Sequence, residues 1–79
     1  MLQNIIKTTP SFIVKMDGCP FCRKAMDALP DLKLYDRYGD ADLVKDIMEK
    51  YNHKTFPMIF INGQFIGGFS DYEKKKDTL

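Results

Sequence analysis

The sequence predicts an α/β fold in which a four-stranded mixed sheet is flanked by helices. Segments with the composition of strands alternate with segments whose apolar residues have the spacing of helices. The last two strand segments are separated only by Asn62-Gly63, a dipeptide typical of tight β-hairpins. A chain of 79 residues has the size of one small domain, so a single domain spanning residues 1–79 is expected.

The first strand and the first helix are indicated by the segment that follows Pro10. Phe12-Ile13-Val14 is a β-branched and aromatic run, which predicts a buried strand that ends near Lys15. Pro20 suits the first position of a helix, because its missing N–H would have no partner there. Pro30 ends this helix. The apolar stripe of the helix comprises Cys22, Ala25, Met26 and Leu29.

A second strand and a second helix come next. Leu32-Lys33-Leu34-Tyr35 alternates as a half-buried strand would. Gly39-Asp40 interrupts this pattern, and either Asp40 or Asp42 can cap the following helix. Asn52-His53 closes that helix. Its apolar stripe comprises Val44, Ile47, Met48 and Tyr51.

The strongest strand signal in the chain is Met58-Ile59-Phe60-Ile61. The hairpin dipeptide connects it to Gln64-Phe65-Ile66, so these two strands must be antiparallel neighbours. Gly67-Gly68 breaks the second of them.

A short final helix is expected after this break. Ser70 or Asp71 can cap it, and Tyr72 lies within it. The run Lys74-Lys75-Lys76 is expected to be a solvated face rather than a site for an acidic partner. The complete order is βαβαββα, and right-handed crossovers make the first two strands parallel. This is the order of the thioredoxin-like fold.

Charge and cysteine content restrict the function classes. Twelve basic and eleven acidic residues give a formal net charge of +1, which does not favour binding to nucleic acid or to a membrane surface. Two cysteines are too few for the framework of a small secreted domain. The N-terminus lacks the apolar run of a signal peptide, and no stretch approaches the ~20 apolar residues of a membrane span. We therefore expect a cytoplasmic protein, and a monomer.

The candidate reactive site is Cys19-Pro20-Phe21-Cys22, which holds both cysteines. Cys19 falls at the cap position of the predicted helix, where its sulfur can accept N–H donors of the first turn. These donors and the positive end of the helix dipole favour the thiolate over the thiol. Arg23 and Lys24 act in the same direction, and Asp17 opposes them.

Cys22 lies one helical turn later, on the apolar stripe, and should be less exposed and less ionised. An exposed thiolate that attacks and a shielded thiol that resolves are what thiol-disulfide exchange requires. A lone CxxC pair also leaves open half a zinc site or an incidental pair. Zinc takes four ligands, and His53 is the only histidine, so a closed zinc site would have to recruit carboxylates. No metal is expected.

Three segments together resemble one known family. They are Cys19-Pro20-Phe21-Cys22 at a strand-to-helix turn, Thr55-Phe56-Pro57 before a strand, and Gly67-Gly68-Phe69-Ser70-Asp71 after a hairpin. In this order and at these separations the chain resembles a dithiol glutaredoxin over nearly its whole length. The resemblance implies a glutathione-disulfide oxidoreductase with glutathione as co-substrate and a redox-active Cys19–Cys22 disulfide.

The resemblance also implies how glutathione is bound. Pro57 would follow a cis peptide bond, and the backbone of Phe56 would pair with the glutathione cysteine like an added strand. Gly68, Ser70 and Asp71 would hold the γ-glutamyl end. The implied glutathione-binding set is Lys15, Phe21, Lys54, Thr55, Phe56, Pro57, Gly68, Ser70 and Asp71.

Lys54 occupies the place of the basic residue that meets the glycine carboxylate in the family. Three positions depart from the family pattern. Phe21 replaces a commoner tyrosine, which keeps the ring and removes a hydroxyl. Lys15 lies one residue further from the nucleophile than the corresponding lysine usually does. Val44 stands where some members direct a polar side chain at the same carboxylate.

The implied reaction reduces protein-glutathione mixed disulfides through Cys19, and protein disulfides with Cys22 as the resolving thiol. Such a protein would serve electron transport and cell redox homeostasis, with ribonucleotide reductase among its candidate partners. One alternative is a redoxin fed by thioredoxin reductase that donates electrons to ribonucleotide reductase; Lys54, Gly68 and Asp71 argue against it. Another is a carrier in which two protomers and two glutathiones hold a [2Fe–2S] cluster, which a proline after Cys19 disfavours.

Overall fold

A computed structural model describes residues 1–79 of the protein. It contains four α-helices and four strands, and none of the helices has the length and hydropathy needed to cross a membrane. In chain order the elements are α1 (Leu2–Thr8), β1 (Phe12–Lys15), α2 (Pro20–Ala28), β2 (Lys33–Asp36), α3 (Ala41–Tyr51), β3 (Met58–Ile61), β4 (Gln64–Gly67) and α4 (Phe69–Lys75), followed by a 3₁₀ turn (Lys76–Thr78).

The four strands form one mixed sheet in the order β2-β1-β3-β4. β1 runs parallel to β2 and antiparallel to β3, and β3 and β4 form the hairpin. Both residues of the hairpin turn have positive φ angles, 53° at Asn62 and 81° at Gly63. A two-residue turn needs this backbone, and Asn-Gly adopts it readily. The thioredoxin-like mixed sheet predicted from the sequence is confirmed.

Successive strand residues point to opposite sides of the sheet, and helices cover both faces, so each face contributes side chains to a separate apolar layer. One apolar layer lies between the sheet and helices α1 and α3, and the rings of Phe12 and Phe60 stack at its centre, 4.6 Å apart. Its buried residues are Leu2, Phe12, Val14, Leu43, Val44, Ile47, Met58 and Phe60. The second layer lies on the face of α2 and α4 and contains Ile13, Ala25, Ile59 and Ile66.

β2 is less buried than the alternation in its sequence predicts. Leu34 is 46% exposed, because β2 is an edge strand. Tyr35 is the inward residue of this strand, and its ring packs edge-on against Phe12 at 5.3 Å.

The helix α1 is missing from the order predicted from the sequence, and the expectation βαβαββα was incomplete in this respect. A helix of seven residues is too short to be stable alone or to show a clear period. Tertiary contacts hold it in place. Leu2 is buried in the core, and its N–H donates to Asp46 Oδ2 at 3.3 Å. The Met1 ammonium lies 3.7 Å from the same oxygen.

The caps of α3 and α4 differ from those predicted from the sequence. Asp40 is the N-cap residue of α3, but its carboxylate accepts the Asp36 N–H at 2.9 Å instead of a helical N–H. The expectation that Ser70 or Asp71 caps α4 was wrong, because α4 begins at Phe69 with Gly68 as its N-cap. Asp71 lies inside the helix and accepts the Gly68 N–H at 3.0 Å, which supplies a partner for that partly buried donor.

Candidate active site

Cys19 is the N-cap residue of α2, and its side chain takes the place of a capping oxygen. Its extended backbone (φ −102°, ψ 109°) lets the sulfur turn back over the first helical turn. There the Cys22 N–H donates to Cys19 Sγ at 3.2 Å. Pro20 follows as the first helical residue, where no N–H is required. The cap therefore holds the half-buried sulfur at the mouth of the helix, next to a donor that stabilises negative charge.

The segment before β3 lies against this sulfur. The Cys19 thiol donates to the Phe56 carbonyl oxygen at 3.6 Å. The peptide bond between Phe56 and Pro57 is cis, and Pro57 is buried. Residues 37 positions apart in the chain thus meet at one point of the surface.

Cys22 is the second free thiol, and its surroundings differ from those of Cys19. It is only 2% exposed. Burial, together with the hydrogen bond to Cys19, raises the pKa of the Cys22 thiol to about 12. Cys22 is therefore a neutral thiol at physiological pH, and the pair is chemically unequal.

This inequality predicts selective alkylation of the reduced, folded protein. Below pH 12 the raised pKa keeps Cys22 protonated, and only the thiolate reacts readily. With iodoacetamide at pH 8 we expect Cys19 to be modified at least about tenfold faster than Cys22, as followed by peptide mass spectrometry. In guanidinium chloride the two rates should become similar. Equal rates in the folded protein would contradict the burial of Cys22.

Gly68 and Asp71 lie on one side of the Phe56-Pro57 segment. A Cβ atom placed on Gly68 would come 3.8 Å from the Pro57 carbonyl oxygen, so the backbone of Gly68 passes close to this segment. Asp71 Oδ2 accepts the Gly68 N–H. Ser70 is exposed, one position along α4 from Phe69.

Lys15 lies at the end of β1, where its ammonium is paired with two carboxylates. Lys15 Nζ is 2.8 Å from Asp17 Oδ1 and 3.0 Å from Asp36 Oδ1. These two hydrogen bonds raise the pKa of Lys15 to about 12. The N–H of Gly39, the Lys15 ammonium and the N–H of Tyr38 lower the pKa of Asp36. The charge of Lys15 is therefore fixed and already balanced.

The remaining predicted site residues are more exposed. Phe21 is 52% exposed in the first turn of α2, with Lys24 Nζ 5.2 Å from its ring centre. Lys54 and Thr55 are exposed in the loop before β3. The Thr55 hydroxyl lies 3.1 Å from His53 Nε2, and the His53 ring packs edge-on against Phe65.

A groove of about 400 Å³ lies beside Cys19. It is lined entirely by residues between Lys15 and Met26, including Met16, Gly18 and Arg23. The structure thus offers open space at Cys19 on the side of the loop before α2. Phe56, Pro57 and Gly68 lie outside this lining.

Arg37 is a residue of this region that the sequence reasoning missed. It follows β2 directly, and its N–H donates to the Lys15 carbonyl at 2.9 Å. Its guanidinium lies over the ring of Phe56, with Cζ 5.4 Å from the ring centre. The signal was present in the topology: β1 and β2 are parallel, so the residues after both strands meet at one edge of the sheet.

Comparison with known proteins agrees with this geometry. A glutaredoxin family model matches residues 11–66 of the chain. Glutaredoxin-1 of Rhizophagus irregularis is 31% identical, and the match covers 98% of this chain and 83% of that protein. Glutaredoxin-1 of Gallus gallus is also 31% identical, over 99% of this chain and 84% of its own length.

The fold is similar as well. The solution structure of the dithiolic glutaredoxin 2-C-Grx1 from Trypanosoma brucei brucei has a TM-score of 0.83 and 29% identity to this chain. The match covers 99% of this chain and 88% of that one. Sequence, fold and the close cysteine pair agree, and the chain therefore belongs to the glutaredoxin family, within the thioredoxin-fold superfamily.

Proposed function

We propose that this protein is a glutathione-dependent oxidoreductase that reduces protein-glutathione mixed disulfides through Cys19. Membership of the glutaredoxin family implies thiol-disulfide oxidoreductase activity. The observation that carries the finer assignment is the inequality of the two thiols. Cys19 Sγ is half-exposed and accepts the Cys22 N–H at 3.2 Å, whereas Cys22 is buried.

The reaction begins when the Cys19 thiolate attacks the glutathione sulfur of the mixed disulfide. The bond between glutathione and the substrate protein breaks, and the protein leaves as a thiolate that takes up a proton. A disulfide between Cys19 and glutathione remains. A second glutathione thiolate attacks this disulfide at the glutathione sulfur, which releases Cys19 and glutathione disulfide. Thiolate stability at Cys19 favours both its attack and its departure.

Protein disulfides follow a second route that uses Cys22. After Cys19 has formed a mixed disulfide with the substrate, the sulfur of Cys22 attacks Cys19, loses its proton and displaces the reduced protein. The resulting Cys19–Cys22 disulfide is reopened by two molecules of glutathione, which leave as glutathione disulfide. We place this activity in the cytoplasm and assign it to a monomer.

Glutathione would lie across the Phe56-Pro57 segment with its sulfur toward Cys19. The Phe56 carbonyl, which the Cys19 thiol contacts at 3.6 Å, is available to the backbone of the glutathione cysteine once Cys19 is ionised. The γ-glutamyl group would approach Gly68 and Asp71 on one side of this segment. A carboxylate such as Asp71 suits the ammonium of that group.

Mass spectrometry after incubation with glutathione disulfide tests this function. In the Cys22→Ser variant we expect one glutathione per chain, attached to Cys19, because no resolving thiol remains. The wild-type protein should instead accumulate the Cys19–Cys22 disulfide. The Cys19→Ser variant is the matched control and should carry no glutathione. An adduct on Cys22, or none on Cys19, would exclude the proposed reaction.

A further inference from the structure

The sulfur of Met16 lies against a charged donor. Arg37 Nη1 donates to Met16 Sδ at 3.0 Å, and no other methionine sulfur of the structure accepts a hydrogen bond. Stacking fixes the guanidinium of Arg37, since its Cζ lies 5.2 Å from the ring centre of Tyr38 and 5.4 Å from that of Phe56. A thioether is a weak acceptor that usually packs among apolar groups. Met16 therefore differs from the other methionines in having a planar cation held at its sulfur.

The groove beside Cys19 gives small molecules access to Met16. Met16 is half-buried and lines this groove, whose volume of about 400 Å³ far exceeds that of a small oxidant. Met26 lines the same groove and is also half-buried, but its sulfur has no hydrogen-bond donor. The groove thus contains two methionines that share one access route and differ in the presence of a charged donor.

Hydrogen peroxide oxidises a thioether by transfer of one oxygen atom. A lone pair of the sulfur attacks one peroxide oxygen, so that an S–O bond forms and the O–O bond breaks. The second oxygen leaves as hydroxide and takes the proton of the transferred oxygen, which gives methionine sulfoxide and water. The sulfur loses two electrons, and the peroxide gains them. Negative charge develops on the departing oxygen, so a donor aimed at that oxygen lowers the barrier.

Arg37 can supply such a donor at Met16. A guanidinium has five N–H groups, and only one of those of Arg37 is used by the sulfur. The ion pairs of the structure involve the N-terminal ammonium, Lys15 and Lys76, so no carboxylate neutralises Arg37. The sulfur keeps a second lone pair with which to attack the peroxide. Nucleophile and donor are therefore already in contact before the oxidant arrives.

We propose that Met16 is a site of oxidation by hydrogen peroxide, that Arg37 assists the transfer of oxygen, and that its guanidinium then binds the sulfoxide oxygen. A sulfoxide is polar and accepts hydrogen bonds through oxygen, and bonds from a charged donor are the stronger ones. Oxidation would thus strengthen the link between the loop before α2 and the residue that follows β2. This modification requires neither glutathione nor the exchange reaction of Cys19.

The test follows the oxidation of each of the five methionines by peptide mass spectrometry during incubation with hydrogen peroxide. Thiols compete for peroxide, so the full-length Cys19→Ser/Cys22→Ala variant is used. Serine keeps a capping atom at the helix start, and alanine keeps the buried position apolar. We expect Met16 to gain one oxygen about tenfold faster than Met26, a factor typical of a hydrogen bond from a charged group.

Replacing Arg37 in the same variant isolates its contribution. Arg37→Leu should slow the oxidation of Met16 about tenfold and leave that of Met26 unchanged. Arg37→Lys should retain part of the rate, because an ammonium also donates. Lys7→Leu removes a charge of the same sign from α1 and is the matched control, which should change neither rate. Met58 is fully buried, so its slow oxidation shows that each variant is folded.

Thermal unfolding before and after oxidation tests the contact with the sulfoxide. A parallel Met16→Leu series gives the effect of the other methionines, which is subtracted. The change in Tm that remains belongs to Met16. We expect it to be more favourable with Arg37 than with Arg37→Leu by about 4–8 °C, the shift that one such hydrogen bond produces in a domain of this size.

The measurements can overturn each part of the inference. Equal oxidation rates at Met16 and Met26 would refute a special reactivity of Met16. An unchanged rate at Met16 in Arg37→Leu would refute the assistance by Arg37, and a faster rate would show that Arg37 shields the sulfur instead. An equal change in Tm with and without Arg37 would refute the contact with the sulfoxide. If Arg37→Leu does not fold, the comparison of Arg37→Lys with Lys7→Leu decides in its place.

Discussion

Replacing Cys19 by serine is expected to reduce every thiol-disulfide exchange of this protein to the uncatalysed background. The Cys22→Ser variant should still reduce glutathione mixed disulfides and should lose the reduction of intramolecular protein disulfides. The reason is that a mixed disulfide needs one attacking sulfur, which Cys19 supplies at the helix mouth. A protein disulfide also needs a second thiol nearby, and Cys22 is the only one in the chain.

The measurement couples glutathione disulfide formation to NADPH and glutathione reductase, with a glutathionylated peptide or a disulfide-containing protein as substrate. A parallel assay with thioredoxin reductase in place of glutathione tests the other electron source. If Cys22→Ser were inactive on the glutathionylated peptide while Cys19→Ser retained activity, the roles of nucleophile and resolving thiol would have to be exchanged.

Replacing Gly67 by alanine is expected to destabilise the fold and displace Asp71. Gly67 has a φ of 115°, a conformation that residues with a Cβ rarely adopt. A Cβ atom there would also collide with Asp71 Oδ2 and lie 2.9 Å from Asp71 Cγ. Backbone strain of about 1–3 kcal/mol and overpacking of about 1–3 kcal/mol together predict a loss of about 2–6 kcal/mol.

Thermal unfolding followed by circular dichroism measures this loss, and a fall in Tm of more than about 10 °C is expected for a domain of this size. Two glycines provide matched controls. Gly18→Ala meets no atom within 4 Å and should show only the backbone strain of its φ of 73°. Gly39→Ala makes ordinary contacts at 3.8 Å or more and should be nearly neutral. A Gly67→Ala variant as stable as Gly39→Ala would contradict the close approach of Asp71.

The parts of the fold that depend on local chemistry were predictable from the sequence. Asn62-Gly63 requires no tertiary context to favour a hairpin turn, and Pro20 specifies a helix start wherever it is placed after a capping residue. The helix α1 was not predictable in this way, because it is stabilised by contacts of Leu2 with residues more than 40 positions away.

The residues of the candidate site also differ in whether local sequence features or tertiary contacts reveal them. Cys19 and Cys22 were found because their spacing and the following proline are local features. Arg37 carries no local signal. Its relevance depends on the pairing of β1 with β2, whose first residues, Phe12 and Lys33, are 21 positions apart in the chain with α2 between them. The engagement of Lys15 by Asp36 depends on that same pairing, which the sequence predicts only in outline.

The burial of Cys22 has a consequence for the timing of the reaction. Burial is the largest cause of the raised pKa of Cys22, so this thiol is almost entirely protonated at pH 7. Exchange rates rise with the thiolate fraction of the attacking thiol, so the internal resolving step is slow compared with that of a more acidic thiol. A mixed disulfide on Cys19 then persists long enough for a dissolved thiol to reach it. The concentration of the dissolved thiol therefore decides whether the mixed disulfide is released by that thiol or by Cys22.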